Sequence, residues 1–183
     1  MNKKAIIIFF KTTDLFKTKE LKQIKNTCCL SPRKVIDFED VTTDFYNVLG
    51  CGKLSSVDAM FVDNEYNIHL IEMKGIKDED FLEKIDAKIV DTGKKVTDSI
   101  KTLLGIGVHL GAPKEFIKVM ISPKELRIYP YLLTNVSSQV LHQKKWSELE
   151  KKRMTPSSRL GKPIQVLNCN NFEDDFKNDT CYF

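Results

Sequence analysis

The sequence predicts a single α/β domain over residues 1–183, with a β-sheet flanked by helices. A chain of 183 residues, of which 42% are hydrophobic, is long enough to bury a sizeable core. Residues 55–75 have the pattern of two short strands joined by a polar turn, and residues 37–50 have the periodicity of an amphipathic helix. The sequence contains no internal repeat and no low-complexity linker.

The N-terminal residues are expected to form a strand, a short helix and a turn. Residues 5–10 are an apolar run that is typical of a buried strand, and Lys11 ends it too early for a signal peptide. Residues 11–25 permit a short amphipathic helix through four apolar positions: Leu15, Phe16, Leu21 and Ile24. The Ser31-Pro32 dipeptide then indicates a turn.

The next predicted element is the amphipathic helix of residues 37–50. Asp37 is suited to cap its start and Gly50 to end it. Glu39 lies in its first turn, where an acid is favourable for the helix dipole in any case. Its apolar residues are spaced as one buried stripe: Val41, Phe45, Val48 and Leu49.

Residues 55–75 predict a β-hairpin with three charged side chains at one end. The polar turn at residues 63–65 brings Asp58 back beside Glu72 and Lys74. Because side chains two apart on a strand share a face, Glu72 and Lys74 stand side by side. Two carboxylates and an ammonium on an otherwise apolar sheet cost free energy unless a metal or a substrate uses them.

The acid-x-Lys pattern alone is weak evidence, because it occurs five times in this chain. Only Glu72-Met73-Lys74 ends a β-patterned run, precedes a glycine and has a partner acid on a neighbouring predicted strand. The alternative interpretation is a cross-strand ion pair on a solvated sheet face, in which Lys74 neutralises the two acids.

This arrangement resembles the active site of the PD-(D/E)xK nuclease superfamily. The matching residues are Asp58, Glu72 and Lys74, and Val57 replaces the proline of the family name. The resemblance implies a restriction-endonuclease-like αβββαβ core with a central mixed sheet, expected over about residues 37–122. Residues 123–183 would then contribute C-terminal strands, a basic helix and an acidic tail.

The resemblance also implies catalytic roles. Asp58, Glu72 and the Met73 carbonyl would bind Mg²⁺ or Mn²⁺, which prefer such oxygen ligands. Lys74 would hold or help deprotonate the attacking water. Glu39, which follows Phe38 at the start of the helix, would touch a metal-bound water; the rival acids are Asp40 and Asp44.

Two helical segments are predicted after Gly75, at about residues 81–85 and 96–104, with Gly93 between them. Residues 105–111 lack the spacing of a nucleotide-binding glycine motif and are interpreted as a loop. In the resembled family, the helix after the Glu-x-Lys strand often supplies a polar or basic residue that faces the phosphate. Three lysines could do this here, unless they belong to a solvated helix face: Lys94, Lys95 and Lys101.

The C-terminal third predicts three more strands and a basic helix. The strands are expected at residues 115–122, 126–133 and 164–167, with Pro130 at an edge or a bulge. A helix is expected over residues 137–154, and residues 172–179 read as a frayed acidic tail.

A basic stretch at residues 143–162 is a candidate phosphate-contacting surface. It carries seven basic side chains against two acidic ones. A solvated helix face followed by a loop explains it equally well. The residues assigned to nucleic-acid binding are Lys151, Lys152, Arg153 and Arg159.

Composition narrows the class of protein further. Lysine and arginine exceed aspartate and glutamate by 29 − 25 = 4, which is compatible with a local basic surface. No apolar run approaches the length of a membrane span. The five cysteines contain no Cys-x-x-Cys pair and the three histidines have no zinc spacing, so we expect reduced thiols, no zinc site and a cytoplasmic location.

The expected function is metal-dependent hydrolysis of phosphodiester bonds in nucleic acid, with DNA favoured over RNA. No membrane partner is expected, and a homodimer or a companion protein is compatible with the sequence. The alternative is a catalytically inactive, nuclease-like module that binds nucleic acid or protein.

Overall fold

A computed structural model describes residues 4–25, 27–65, 67–121, 128–137, 140–141, 164–170 and 172 of the chain. Six strands form one sheet in the order of the sequence. They are β1 (Thr18–Glu20), β2 (Lys34–Asp37), β3 (Ala59–Val62), β4 (Ile68–Lys74), β5 (Ile128–Thr134) and β6 (Gln165–Asn168). The first four pair antiparallel, whereas β4, β5 and β6 run parallel to one another. The predicted α/β fold with a mixed sheet is confirmed.

Four described α-helices accompany the sheet: α1 (Lys4–Thr12), α2 (Phe38–Leu49), α3 (Phe81–His109) and α4 (Lys114–Ile121). Residues from all four pack together on one sheet face, in a core that contains Phe10, Phe45, Leu70, Val96 and Phe116. None of the described helices is long and apolar enough to cross a membrane.

Two predicted elements near the site are confirmed. The α2 helix begins after Asp37, whose side chain accepts a hydrogen bond from the Asp40 backbone N–H, and it ends at Gly50, which has φ +64°. The hairpin pairs Ala59 with Ile71 and Val62 with Ile68. Because this register fixes which side chains share a face, it also fixes where the charged residues meet.

The predicted strand at residues 5–10 is wrong, because these residues belong to the α1 helix. Ile7, Phe9 and Phe10 are buried, whereas Ile8 is 54% exposed. A continuous apolar run does not distinguish a buried strand from a short packed helix, and here the helix packs on the Phe116 ring of α4.

The predicted amphipathic helix at residues 11–25 is also wrong. The chain instead forms β1 and a single 3₁₀ turn at Leu21–Gln23. Phe16 packs into the core on the helical side of the sheet, whereas Leu21 and Ile24 pack into the core on the opposite side. The four apolar positions therefore do not form one stripe.

The predicted break at Gly93 and the predicted loop at residues 105–111 are wrong, because α3 is one helix of 29 residues that extends to His109. An isolated glycine costs a helix only about 1 kcal/mol, which tertiary packing can override. Gly107 serves close packing, since a Cβ there would lie 2.5 Å from the Phe116 ring of α4.

The predicted strand at residues 115–122 is wrong as well, because Lys114–Ile121 is the α4 helix. Phe116 and Met120, four residues apart, are buried on its inner side, whereas Ile121 is 60% exposed. The family-like order of helix, strand, strand, helix and strand therefore contains an additional helix before β5.

The remaining strands occur as predicted, with small shifts in their ends. Pro130 pairs with Leu70 of β4, and the described pairing of β5 with β6 begins one residue later, at Tyr131. Because β5 lies between β4 and β6 and its register with β4 is continuous, the prediction of an edge strand or a bulge at Pro130 is wrong. Phe172 is fully buried, which contradicts fraying at the start of the predicted tail. The predicted basic helix and the rest of the tail lie almost wholly outside the described residues.

Candidate metal centre

The hairpin and the adjoining helix bring the candidate residues together. Asp58 immediately precedes β3, and its Oδ2 accepts a hydrogen bond of 2.6 Å from the Met73 backbone N–H. Its carbonyl accepts a hydrogen bond of 3.0 Å from the N–H of Phe38, the first residue of α2. Asp58 is therefore held from both sides, by the strand that carries Glu72 and by the helix start.

Glu72 is the centre of the site. Its side chain is fully buried on the face of the sheet that α3 covers. One carboxylate oxygen, Oε1, accepts from the Lys74 ammonium and from the Lys95 ammonium, each at 2.7 Å. The other oxygen, Oε2, is buried and has no hydrogen-bond partner among the described residues.

The charged side chains affect one another's protonation. Burial and the nearby Glu72 carboxylate raise the pKa of Asp58 to about 6. Burial alone would lower the pKa of Lys74, but its hydrogen bond to Glu72 and the charges of both acids raise it above the ordinary value. At neutral pH Lys74 is therefore a hydrogen-bond donor.

The contact between Lys95 and Glu72 is not predicted by the sequence. The sequence groups Lys95 with two other lysines that could face a phosphate, whereas its ammonium donates a hydrogen bond to Glu72 Oε1. Its distance from Glu72 in the sequence is 23 residues, and only the course of the unbroken α3 helix across the sheet joins them. No local pattern could have selected it over the neighbouring Lys94.

Glu39, the predicted helix acid, makes its ion pair elsewhere. Its Oε1 lies 3.6 Å from the Lys53 ammonium, and the structure records no hydrogen bond between Glu39 and Asp58, Glu72 or Lys74. The rival Asp40 pairs with Lys19 at 2.6 Å, and Asp44 is exposed. The start of α2 therefore contacts Asp58 through the Phe38 backbone N–H, and not through the side chains of these three acids.

The predicted nucleic-acid-binding residues fall into two groups. On α3, Lys94 is exposed, and Lys101 forms an ion pair of 3.0 Å with Asp98. The others lie outside the described residues: Lys151, Lys152, Arg153 and Arg159.

The donor set fits a small divalent cation. Mg²⁺ and Mn²⁺ prefer carboxylate and carbonyl oxygens and keep several waters. Asp58 and Glu72 supply carboxylates on one side of the sheet, and Glu72 Oε2 is a buried acceptor that lacks a donor among the described residues. Such an atom costs free energy unless a cation or a water satisfies it.

The cysteines differ from expectation. Cys29 and Cys169 form a disulfide, so the prediction that all five cysteines are reduced thiols is wrong for this pair. Their separation of 140 residues hides this proximity from the sequence. Cys28 and Cys51 are free.

Comparisons of the chain with known protein families, with curated proteins and with solved structures find no match.

Proposed function

We propose that the protein is a metal-dependent nuclease of the PD-(D/E)xK type, which hydrolyses phosphodiester bonds in DNA or RNA. The observation that carries the proposal is the buried Glu72 carboxylate beside Asp58, with one oxygen held by two ammoniums and the other without a partner among the described residues. Burying such a group is costly unless the site has a further ligand.

Asp58 and Glu72 would hold Mg²⁺ or Mn²⁺, and the Met73 carbonyl would be the third protein ligand. Bound there, the cation supplies a Lewis acid that polarises the scissile phosphate and stabilises its developing charge. The hydrogen bond from the Met73 N–H keeps one Asp58 oxygen in place, which orients the carboxylate.

Lys74 would position the attacking water. Its side chain is 27% exposed, so it reaches solvent while it is bonded to Glu72. Because its pKa is raised in the metal-free protein, it is suited to hold and orient the water by donating a hydrogen bond. Deprotonating the water would first require the pKa of Lys74 to fall.

Lys95 would fix the Glu72 carboxylate against the helix. It donates to the oxygen that Lys74 also uses, and this leaves the other oxygen for the cation. We assign it a positioning role that acts through Glu72.

The proposed substrate is nucleic acid, with DNA favoured over RNA, and the proposed location is the cytoplasm. The surface of α3 with Lys94 and Lys101, together with the basic stretch of residues 143–162, would contact phosphates. Glu39 remains a proposed contributor through a metal-bound water. A homodimer or a companion protein is compatible with this function.

One observation favours the second candidate, an inactive nuclease-like binding module. Two ammoniums already face two carboxylates, so the charges of Asp58, Glu72, Lys74 and Lys95 balance without a cation. In that case the cluster is a structural network that joins α3 to the sheet.

Cleavage assays on plasmid and single-stranded substrates separate the two candidates. The nuclease predicts cleavage only with added Mg²⁺ or Mn²⁺, and loss of cleavage in Asp58→Ala, Glu72→Gln and Lys74→Ala. Asp44→Asn, at an exposed acid of α2, is the matched control and should keep full activity. Activity in excess EDTA, or full activity in Lys74→Ala, would refute the mechanism.

A further inference from the structure

Three sulfur atoms from two distant parts of the chain converge on the sheet face opposite α3. Cys28 and Cys29 precede β2, and Cys169 follows β6. The three sulfur atoms all lie within 4.8 Å of one another. Cys29 and Cys169 are buried, whereas Cys28 is partly exposed, so the cluster has one side open to solvent.

Two adjacent cysteines contribute to one cluster. Side chains of successive residues in regular extended backbone point to opposite sides. Here the Cys29 N–H donates a hydrogen bond of 3.0 Å to Thr27 Oγ1, a local contact between side chain and backbone outside any strand. The Cys28 sulfur lies 2.7 Å from the Cys169 sulfur, and Cys29 is bonded to Cys169.

A disulfide needs only two of these three sulfurs. Cys28 is not part of the Cys29–Cys169 bond, yet its sulfur lies next to that bond. The Cys28 thiol also donates a hydrogen bond of 3.7 Å to the Leu133 carbonyl. The convergence of three soft donors indicates a common ligand.

We propose that, when the Cys29–Cys169 disulfide is reduced, Cys28, Cys29 and Cys169 form a thiolate site for a soft divalent cation, for which Zn²⁺ is the best fit. Zinc binds thiolate sulfur at about 2.3 Å in tetrahedral geometry, which places sulfur pairs about 3.8 Å apart. The observed separations bracket this value, since the Cys28 and Cys169 sulfurs are 2.7 Å apart and all three sulfurs lie within 4.8 Å of one another. This site differs in donor type from the oxygen site at Asp58 and Glu72, and Cys28 lies close enough to Asp58 for that carboxylate, after burial, to raise the pKa of its thiol.

Reduction of the Cys29–Cys169 disulfide requires a dithiol reductant. It transfers two electrons and two protons to the disulfide, which yields two cysteine thiols, while the reductant itself becomes a disulfide. Zinc binding then releases thiol protons to solvent as the sulfurs become ligands. Three protein ligands leave the fourth tetrahedral position to water or to an additional donor on the Cys28 side.

The test uses Co²⁺ as a spectroscopic probe on the full chain, reduced with a dithiol and freed of metal. Thiolate coordination gives a sulfur-to-cobalt charge-transfer absorption in the near ultraviolet, and added Zn²⁺ should displace it. We expect this absorption at one cobalt per chain in the wild type and its loss in Cys29→Ser and Cys169→Ser. Cys28→Ser should weaken Zn²⁺ binding at least tenfold.

Two controls separate this site from the rest of the protein. Cys51→Ser removes an exposed free cysteine and should leave the absorption unchanged. Glu72→Gln should also leave it unchanged, so that failure of the nuclease proposal does not affect this one. The melting temperature of each variant establishes that it is folded.

Absence of the charge-transfer absorption in the reduced wild type would overturn the proposal without reliance on any variant. An absorption that survives in Cys29→Ser and Cys169→Ser, both shown to be folded, would overturn it too. A protein that keeps the Cys29–Cys169 disulfide intact in excess dithiol would identify the pair as a purely covalent crosslink.

Discussion

The ammonium groups of Lys95 and Lys74 form ion pairs with the same oxygen of Glu72, each over 2.7 Å, from opposite layers of the fold. Lys74 belongs to the same strand as Glu72, whereas Lys95 belongs to α3. Both lysines are partly exposed, with 27% of the Lys74 side chain and 21% of the Lys95 side chain accessible. Glu72 thus fastens the helix to the sheet at the place where the proposed cation would bind.

The first prediction concerns Lys95→Met, which keeps the length of the side chain and removes its charge. Glu72 would lose one of two partners inside the protein, so we expect the free energy of unfolding to fall by about 1–3 kcal/mol. We also expect a loss of about 10- to 100-fold in metal affinity or cleavage, because the carboxylate is no longer held by the helix. Urea unfolding, Mn²⁺ titration and cleavage assays measure these effects.

Lys94→Met is the matched control for this change. Lys94 is the adjacent residue on α3 but is exposed, and surface substitutions of this kind alter stability by about 0.5 kcal/mol or less. Equal effects of the two substitutions on stability and on Mn²⁺ affinity would remove Lys95 from the site.

The sequence predicts the part of the site that depends on local patterns. Asp58, Glu72 and Lys74 follow from strand alternation and from one turn, and the structure brings these three together. Lys95 could not be selected, because its contact depends on where a long helix crosses the sheet. The Cys29–Cys169 pairing could not be deduced for a similar reason: 140 residues separate the partners.

The fold, like the site, could be predicted only where local sequence patterns determine the structure. Asp37 and Gly50 mark the ends of α2 because caps act through their own backbone neighbours. The sequence predicts strands at residues 5–10 and 115–122, whereas residues 5–10 and 115–121 are helical. Short apolar runs fit both periods, and packing between α1 and α4 selects the helix. The glycines of α3 suggested breaks, yet Gly107 is required by the proximity of Phe116.

The second prediction concerns the turn of the hairpin. Asp63 is buried, and its carboxylate contacts His69 Nε2 at 2.9 Å and accepts from the Asn67 amide at 2.7 Å. Burial opposes ionisation, but these hydrogen bonds lower the pKa of Asp63 to about 2. A lowered carboxyl pKa stabilises the folded state above the unfolded value of about 3.9, and this stabilisation is lost as pH falls toward 2.

Asp63→Asn should therefore lower the free energy of unfolding by about 2 kcal/mol at pH 7 and by less at pH 3. Urea unfolding of both proteins at the two pH values measures the difference. An Asp63→Asn effect that is the same at pH 3 and pH 7 would show that ionisation of this carboxyl does not stabilise the hairpin.

The third prediction concerns the basic stretch. If it contacts phosphates, neutralising Lys151, Lys152 and Arg153 together should weaken nucleic-acid binding and reduce its dependence on salt. For duplex DNA the slope of log affinity against log salt should fall by about 0.9 for each lost phosphate contact. Binding titrations over a range of salt concentrations give the slope. An unchanged slope would mean that these side chains contribute only to solubility.

The last prediction concerns Asp58→Asn, for which the metal site and the structural network give opposite results. The substituted amide oxygen can still accept the hydrogen bond from the Met73 N–H, so the change mainly removes a charge. Because burial and Glu72 raise the pKa of Asp58 to about 6, its ionisation destabilises the metal-free folded protein. This destabilisation is absent below about pH 4 and grows as pH rises from about 4 to 6.

At pH 7, metal-free Asp58→Asn should consequently melt at the wild-type temperature or above it. A cation binds the ionised carboxylate, so wild type should bind Mn²⁺ about tenfold more tightly at pH 7 than at pH 5. Mn²⁺ should raise the melting temperature of wild type, because it binds the folded state alone, and should leave that of Asp58→Asn unchanged.

If the acids only neutralise Lys74 and Lys95, the substitution instead removes a favourable charge. A destabilised Asp58→Asn variant beside a wild type that does not respond to Mn²⁺ would therefore rule out the metal centre.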